Sequence, residues 1–343
     1  MHIALIRRRF SPTGGAERYL ERLAGALLER GHAVTLACEA WQEGGESAIR
    51  DVRRVESNDP ASFARAIAAL KLQNEFDVVF SLERVPGCDV YRAGDGVHAD
   101  WLEQRAMYGG LLGHFQNWIK FKNRAVCALE AEVFRPEKTR HVIANSQMVK
   151  NAIVWRFGYP ADRISVIRNG VPVERFACGD RAAGRAALGI GEDEYIVLLV
   201  GAGRERKGVK YAQAAVQRAP GARLVVIERN PPTPMPNVYA AADVFLLPTL
   251  YDPFANVTLE ALAAGLPVLT TRHNGGAEIL TRGVDGIVFE RADAVRDMAQ
   301  TLARLRDKNE RERFRAPAQA LARQYDLSRN VAETLSCLTA LKR

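Results

Sequence analysis

At 343 residues the chain is long for one typical domain and fits two of roughly 150 residues each. Its formal net charge of +8 calls for an anionic partner, whether nucleic acid, an acidic lipid surface or a phosphorylated substrate. Its apolar runs fall far short of the roughly 20 residues that span a bilayer, and Cys38, Cys88, Cys127, Cys178 and Cys337 show neither metal nor redox spacing, reading instead as free thiols of a reducing compartment.

The predicted elements begin with HIALI, a five-residue strand before Arg7-Arg8-Arg9 that is too short for a signal peptide. The loop SPTGGAE leads into a helix with Leu20, Leu23, Leu27 and Leu28 on its apolar face, closed by Gly31. FDVVFSL (76–82) is a continuous apolar run of strand length, as in a sheet covered on both faces, and HVIANS (141–146) is another. An amphipathic helix is predicted from Ser146 to Phe157, followed by RISVIRNGV (163–171). After Val171 the pattern restarts. YIVLLVGAG (195–203) is a strand and glycine loop, KGVKYAQAAVQRA a helix, ARLVVIE (222–228) and ADVFLLPT (242–249) strands, and NVTLEALAAG a helix closed by Gly265. LPVLTT and GIVFE are two more strands, and the chain from Arg291 on reads as charged helix.

Two successive β/α repeats with right-handed crossovers predict an α/β fold of two doubly wound parallel-sheet domains. The predicted division is 1–171, 172–312 and a helical tail at 313–343, with the boundary near Val171–Cys178. Ligands of such sheets sit beyond the carboxyl ends of the strands, which implies a cleft between the domains.

Four segments map to strand ends: Gly14-Gly15, GAGRERKG, the acid pair Asp252 and Glu260, and NGG (274–276). With SPTGGAERYL, SVIRNGVPVERF, YAAADVFLLPT and EALAAGLPVLTT in order, nearly the whole chain resembles glycosyltransferase family 4, the retaining GT-B enzymes that use nucleotide sugars. FSPTGGAERYL, CDVYRAGDGVHAD and RERKGV look most like lipopolysaccharide core glucosyltransferases within that family. GT-B implies two Rossmann-like domains facing a cleft, the first for the acceptor and the second for the donor. The tail is expected to return to the first domain.

Breaking a sugar–diphosphate bond leaves negative charge on the departing phosphate, so the site must present positive charge there. Arg206 and Lys207 match the family's Arg/Lys pair, with Arg204 an alternative to Arg206. Gly14, Gly15 and Gly201 are read as backbone approaches to the nucleotide. Phe254, Ala255, Asn256 and Val257 open a helix, with Asn256 and Val257 aiming free N–H groups at the diphosphate. The resemblance gives Glu260 the ribose hydroxyls and Asp252 hydroxyls of the transferred sugar. The acids lie eight residues apart, slightly over two helical turns, and so occupy different places rather than forming one catalytic pair. The family usually has Glu at position 252. Asp95 and His98, in GDGVHAD, would orient or deprotonate the acceptor hydroxyl, although the leaving phosphate can also take that proton. With no Asp-x-Asp motif at a strand end and no His/Cys metal spacing, no metal and no cofactor are expected.

HFQNWIKFKNRAV (114–126) mixes Phe115, Trp118 and Phe121 with Lys120, Lys122 and Arg124. It reads as an anionic-membrane surface element or as an ordinary packed helix. Nucleic acid is the weaker third reading, and no nucleic-acid partner is expected. RNPPTPMPN (229–237) replaces a helix and strand of the family and is expected to form neither, which abbreviates the second domain. The expectation is a cytoplasmic hexosyltransferase, peripheral on the inner membrane face in one reading. UDP-glucose is the favoured donor, and the acceptor is a lipopolysaccharide-core or related glycolipid or oligosaccharide. A nucleotide-sugar epimerase and an inactive nucleotide- or membrane-binding scaffold are the alternatives.

Overall fold

Two separate hydrophobic cores form, one in each unit into which the chain divides: Met1–Ile167 with Val331–Arg343, and Arg168–Asn330. The computed structural model describes residues 1–10, 15–41, 49, 51–119 and 121–342.

The first unit runs β1 (His2–Ile6), β2 (Arg9–Phe10), α1 (Gly15–Glu29), β3 (Ala33–Cys38), β4 (Ala40–Trp41), β5 (Asp51–Arg54) and α2 (Pro60–Ala69). It continues through β6 (Val78–Ser81), β7 (Val90–Ala93), α3 (His98–Ile119), α4 (Phe121–Val133), β8 (His141–Ala144), α5 (Gln147–Phe157) and β9 (Ile164–Val166). Among the described residues, seven strands pair in the order β5-β3-β1-β6-β7-β8-β9, all parallel. Helix starts follow local chemistry. Asp59 caps α2 through a capping box with Ser62, and Pro60 sits in the first turn, where its missing N–H costs nothing. Ser146 caps α5 by accepting from the Val149 N–H at 3.2 Å.

The second unit runs α6 (Val173–Ala177), α7 (Arg181–Ala187), β10 (Tyr195–Val200), α8 (Val209–Gln217), β11 (Ala222–Ile227), α9 (Met235–Ala241) and β12 (Val244–Leu247). Then come α10 (Asn256–Ala263), β13 (Val268–Thr271), β14 (Gly286–Phe289), α11 (Val295–Arg304) and α12 (Lys308–Arg323), while α13 (Leu327–Ala340) begins in this unit and ends in the first. Five strands pair in the order β11-β10-β12-β13-β14, again parallel, with β11 at an edge.

One device sets strand register three times. Asp77, Asp89 and Asp243 each precede a strand-opening valine, and their carboxylates accept at 2.8 Å from the N–H of His2, Val79 and Ile196 on the neighbouring strand. Each aspartate also donates its own N–H to that residue's carbonyl. Arg140 pairs with Asp89, and Arg181 and Arg185 with Asp243, so the two more deeply buried carboxylates keep their charge compensated.

Three expectations need correction. The division falls at Ile167/Arg168, upstream of Val171–Cys178, because Val171 exchanges backbone hydrogen bonds with Tyr325 and Leu327 and joins the second core. The tail 313–343 is not one segment. α12 buries Phe314, Ala318 and Ala322 in the second core, and only Val331–Arg343 belongs to the first unit, where Tyr19 Oη lies 3.2 Å from Thr334 Oγ1. The bridge 229–237 is not helix-free: α9 begins at Met235, since Pro236 lies in the first turn, where no donor is required.

Candidate functional site

In the second unit, the carboxyl ends of the adjacent strands β10, β12 and β13 gather most of the residues singled out from the sequence. Beyond β10 the chain turns at Gly201, whose φ of +142° is open only to glycine. A Cβ there would stand 2.7 Å from Lys207 Cε, so the missing side chain is the space that the lysine stem fills. The Arg206 carbonyl accepts from Thr249 Oγ1 at 2.7 Å and from the Leu250 N–H at 2.9 Å, which pins this turn to the end of β12. Gly208 then passes so close to β12 that a Cβ would fall 1.9 Å from the Pro248 carbonyl oxygen.

Lys207 is buried and donates to Asp252 Oδ2 at 2.7 Å, with side chains 8% and 7% exposed. The cation and the acid that the sequence assigned to separate partners therefore meet in one ion pair. Backbone holds Asp252 on both sides: its N–H donates to the His273 carbonyl and its carbonyl accepts from the Gly275 N–H, each at 2.8 Å. Its other oxygen, Oδ1, makes no hydrogen bond among the described residues. Arg204 is exposed and paired with Glu228 at 3.2 Å, whereas the half-buried Arg206 makes no side-chain hydrogen bond or ion pair among the described residues.

α10 opens after Ala255 with no side-chain cap. The Asn256 and Val257 N–H groups find no acceptor among the described residues, leaving two donors at the positive end of the helix. Buried Phe254 and Ala255 anchor this start in the second core. Asn274 fixes it further: Oδ1 accepts from the N–H of Ala255 at 3.2 Å and Gly276 at 2.9 Å, and Nδ2 donates to Thr258 at 3.0 Å and Thr270 at 3.1 Å. Asn169 donates to Asn256 Oδ1 at 2.7 Å and to the Phe254 carbonyl at 3.3 Å. Glu260 accepts from the fully buried Tyr239 hydroxyl at 2.7 Å, so the two acids of the eight-residue spacing have different partners. Burial, and then the charge and contact of Glu260, push the Tyr239 phenol well above its ordinary pKa. His273 is held below the usual histidine range by burial and then by Arg272 and Arg291.

Tyr239, Asn169 and Asn274 were not marked individually from the sequence. YAAADVF, RNGV and NGG contained them, but a motif does not show that a tyrosine hydroxyl meets an acid 21 residues away.

In the first unit, Asp95 is largely exposed beyond β7 and lies 3.6 Å from Arg84. His98 opens α3, with Nε2 3.4 Å from Asn123 Oδ1. Gly15 begins α1, and Gly14 lies outside the described residues. So do Lys120 and the side chains of 114–119 and 121–122, hence most of the basic aromatic segment, although its backbone is helical over Phe121–Val133 and up to Ile119. Among the described residues, no helix is long and apolar enough to cross a membrane, and no group of three or more His, Cys, Asp or Glu could hold a metal ion.

Two family models match the chain: Glycosyltransferase Family 4 over residues 13–175, and Glycosyl transferases group 1 over residues 185–308. An uncharacterized glycosyltransferase of Methanocaldococcus jannaschii is 24% identical over 84% of each chain. The lipopolysaccharide glucosyltransferase WaaG of Escherichia coli is 24% identical over 84% of this chain and 85% of its own. The crystal structure of WaaG, a glycosyltransferase involved in lipopolysaccharide biosynthesis, matches with a TM-score of 0.82 at 22% identity, covering 98% of this chain and 99% of that one. Anabaena HepE in complex with UDP-glucose matches with a TM-score of 0.73 at 19% identity, over 98% and 100% of the two chains.

Proposed function

Because the chain belongs to the family 4 glycosyltransferases and has their GT-B fold, we propose that it is a retaining, metal-independent hexosyltransferase with UDP-glucose as donor and a lipopolysaccharide-core or related glycolipid as acceptor. The observation that carries this reading is the buried Lys207 ammonium paired with Asp252, in the loop that leads to the uncapped start of α10, in the same unit as Glu260. Lys207 and Arg206 would neutralise the charge that grows on the departing diphosphate, and the Asn256 and Val257 N–H groups would donate to its oxygens. Tyr239 holds one oxygen of Glu260 in place, and the carboxylate would receive the ribose hydroxyls. Asp252 would spend Oδ2 on orienting Lys207 and offer Oδ1 to a hydroxyl of the transferred sugar. Asp95 and His98 would stand on the acceptor side, in the first unit. The naming of WaaG and the UDP-glucose complex of HepE support this choice of acceptor and donor. The enzyme would work at the cytoplasmic face of a membrane, with residues 114–126 touching anionic lipid.

The test is a thermal-shift screen of UDP, GDP and ADP, followed by transfer from labelled UDP-glucose to lipopolysaccharide truncated within its inner core. UDP alone should raise the midpoint, and label should move only when acceptor is added. Turnover of donor without acceptor would instead favour an epimerase. A UDP shift with neither transfer nor turnover would leave a binding scaffold.

A further inference from the structure

In the first unit, a buried carboxylate outside every role above ties three segments together. Glu130, on α4, is fully buried. Its Oε1 accepts from the His98 N–H at 2.6 Å and from Arg84 Nε at 3.1 Å, and its Oε2 lies 3.3 Å from the Ala99 N–H. It thus occupies the first-turn donors of α3 that a side-chain cap would otherwise satisfy. Arg84, in the loop after β6, spreads its other nitrogens over the segment after β7, reaching the Gly96 carbonyl at 3.2 Å and Asp95 Oδ2 at 3.6 Å. One carboxylate and one guanidinium hence fix Asp95, Gly96, His98 and Ala99 from two sides. Desolvating both charges costs several kcal/mol that apolar packing would not incur, so such a pair is weak evidence for stability. What it does supply here is direction: each hydrogen bond admits one placement of the segment. Burial raises the Glu130 pKa even against the opposing effects of Arg84 and the His98 N–H, consistent with a carboxylate enclosed for its contacts.

We propose that Glu130 and Arg84 form a positioning clamp that holds Asp95 and His98 in the arrangement that receives the acceptor. The clamp rests on the glycosyltransferase reading, and it adds two residues that touch neither substrate. The segment it holds lies beyond the carboxyl end of β7, the side of a parallel sheet where ligands bind. Because the clamp acts on the acceptor side alone, its loss should spare the donor.

The experiment compares the wild type with Glu130→Gln, Glu130→Asp and Arg84→Lys, using labelled UDP-glucose and lipopolysaccharide truncated within its inner core. In Glu130→Gln, amide exchange at His98 and Ala99 should speed up and acceptor KM should rise about tenfold, the scale of one charge-assisted hydrogen bond. Donor KM and the kcat at saturating acceptor should stay within about twofold. Glu130→Asp, which keeps the charge, should recover part of the acceptor KM. If Glu130→Gln does not fold, Arg84→Lys, which keeps the charge but loses the fork, should show the same split between acceptor and donor. Unchanged exchange at His98 and Ala99 would overturn the clamp. So would faster exchange with an unaltered acceptor KM, or equal losses toward donor and acceptor. A wild type without acceptor-dependent transfer would instead sink the transferase reading on which the clamp depends, which separates the two failures.

Discussion

Lys207 and Asp252 pose a residue-scale question, because the cation proposed to meet a phosphate already has a partner at 2.7 Å. An ammonium left alone in a buried place would be costly, and the carboxylate compensates it; on the proposed function, an incoming diphosphate would share that ammonium. The lysine has two further N–H donors for that anion. Asp252→Asn removes the charge and keeps the shape. Without ligand, the variant should lose about 3 kcal/mol of stability, the cost of breaking a buried pair from one side. UDP should then stabilise the variant more than the wild type, because its phosphate restores the missing negative charge. Turnover should still fall, since the amide aligns neither Lys207 nor the sugar in the same way. Paired denaturation curves of wild type and variant, with and without UDP, measure the first two effects, and transfer from labelled UDP-glucose measures the third. A smaller UDP effect in the variant would show that Lys207 does not bind the diphosphate.

At the scale of elements, the site depends on where helices start. α8 starts at Val209, directly after Gly208, whose φ is +70° and whose backbone lies against Pro248. Gly208→Ala adds a Cβ that meets fixed backbone rather than a movable side chain, and it strains a left-handed residue as well. It should destabilise the second unit by about 4 kcal/mol or more, seen as an earlier unfolding transition. A loss under about 1 kcal/mol would mean that the strand end can retreat and that the turn is not rigid. These starts also show what the sequence made legible. Apolar runs located β1, β6, β10 and β12, and a change of period placed the helices between them, because burial on both faces of a parallel sheet leaves a local signature. The start of α9 was not legible, since prolines that forbid a helix interior are welcome in a first turn, and composition does not separate the two cases. Nor was the convergence of Lys207 with Asp252, which are 45 residues apart. Their meeting is produced by the β10–β12 pairing and the two loops that follow, and no local pattern encodes it.

On the scale of the whole molecule, two cores belong to one chain that passes from the first unit to the second near Ile167 and back near Val331. Each of the two crossings is a single stretch of backbone. α13 contains the second of them, so its continuity is a covalent coupling that packing alone would not supply. If the donor is bound mainly by the second unit, nucleotide should act unequally on the two cores. At 100 times its Kd, UDP adds about 2.7 kcal/mol to whatever unfolds with loss of the site. Amides of β10, β12 and β13 should therefore gain protection in hydrogen exchange, and those of β1, β6 and β8 should gain much less. α13 is the discriminating element, since its first turn belongs to the second unit and the rest to the first. Protection that rises through its first turn and fades beyond Val331 would mark two cooperative units. Equal protection of both sheets would mean that the cores unfold together, and donor binding could not then be assigned to the second unit by stability.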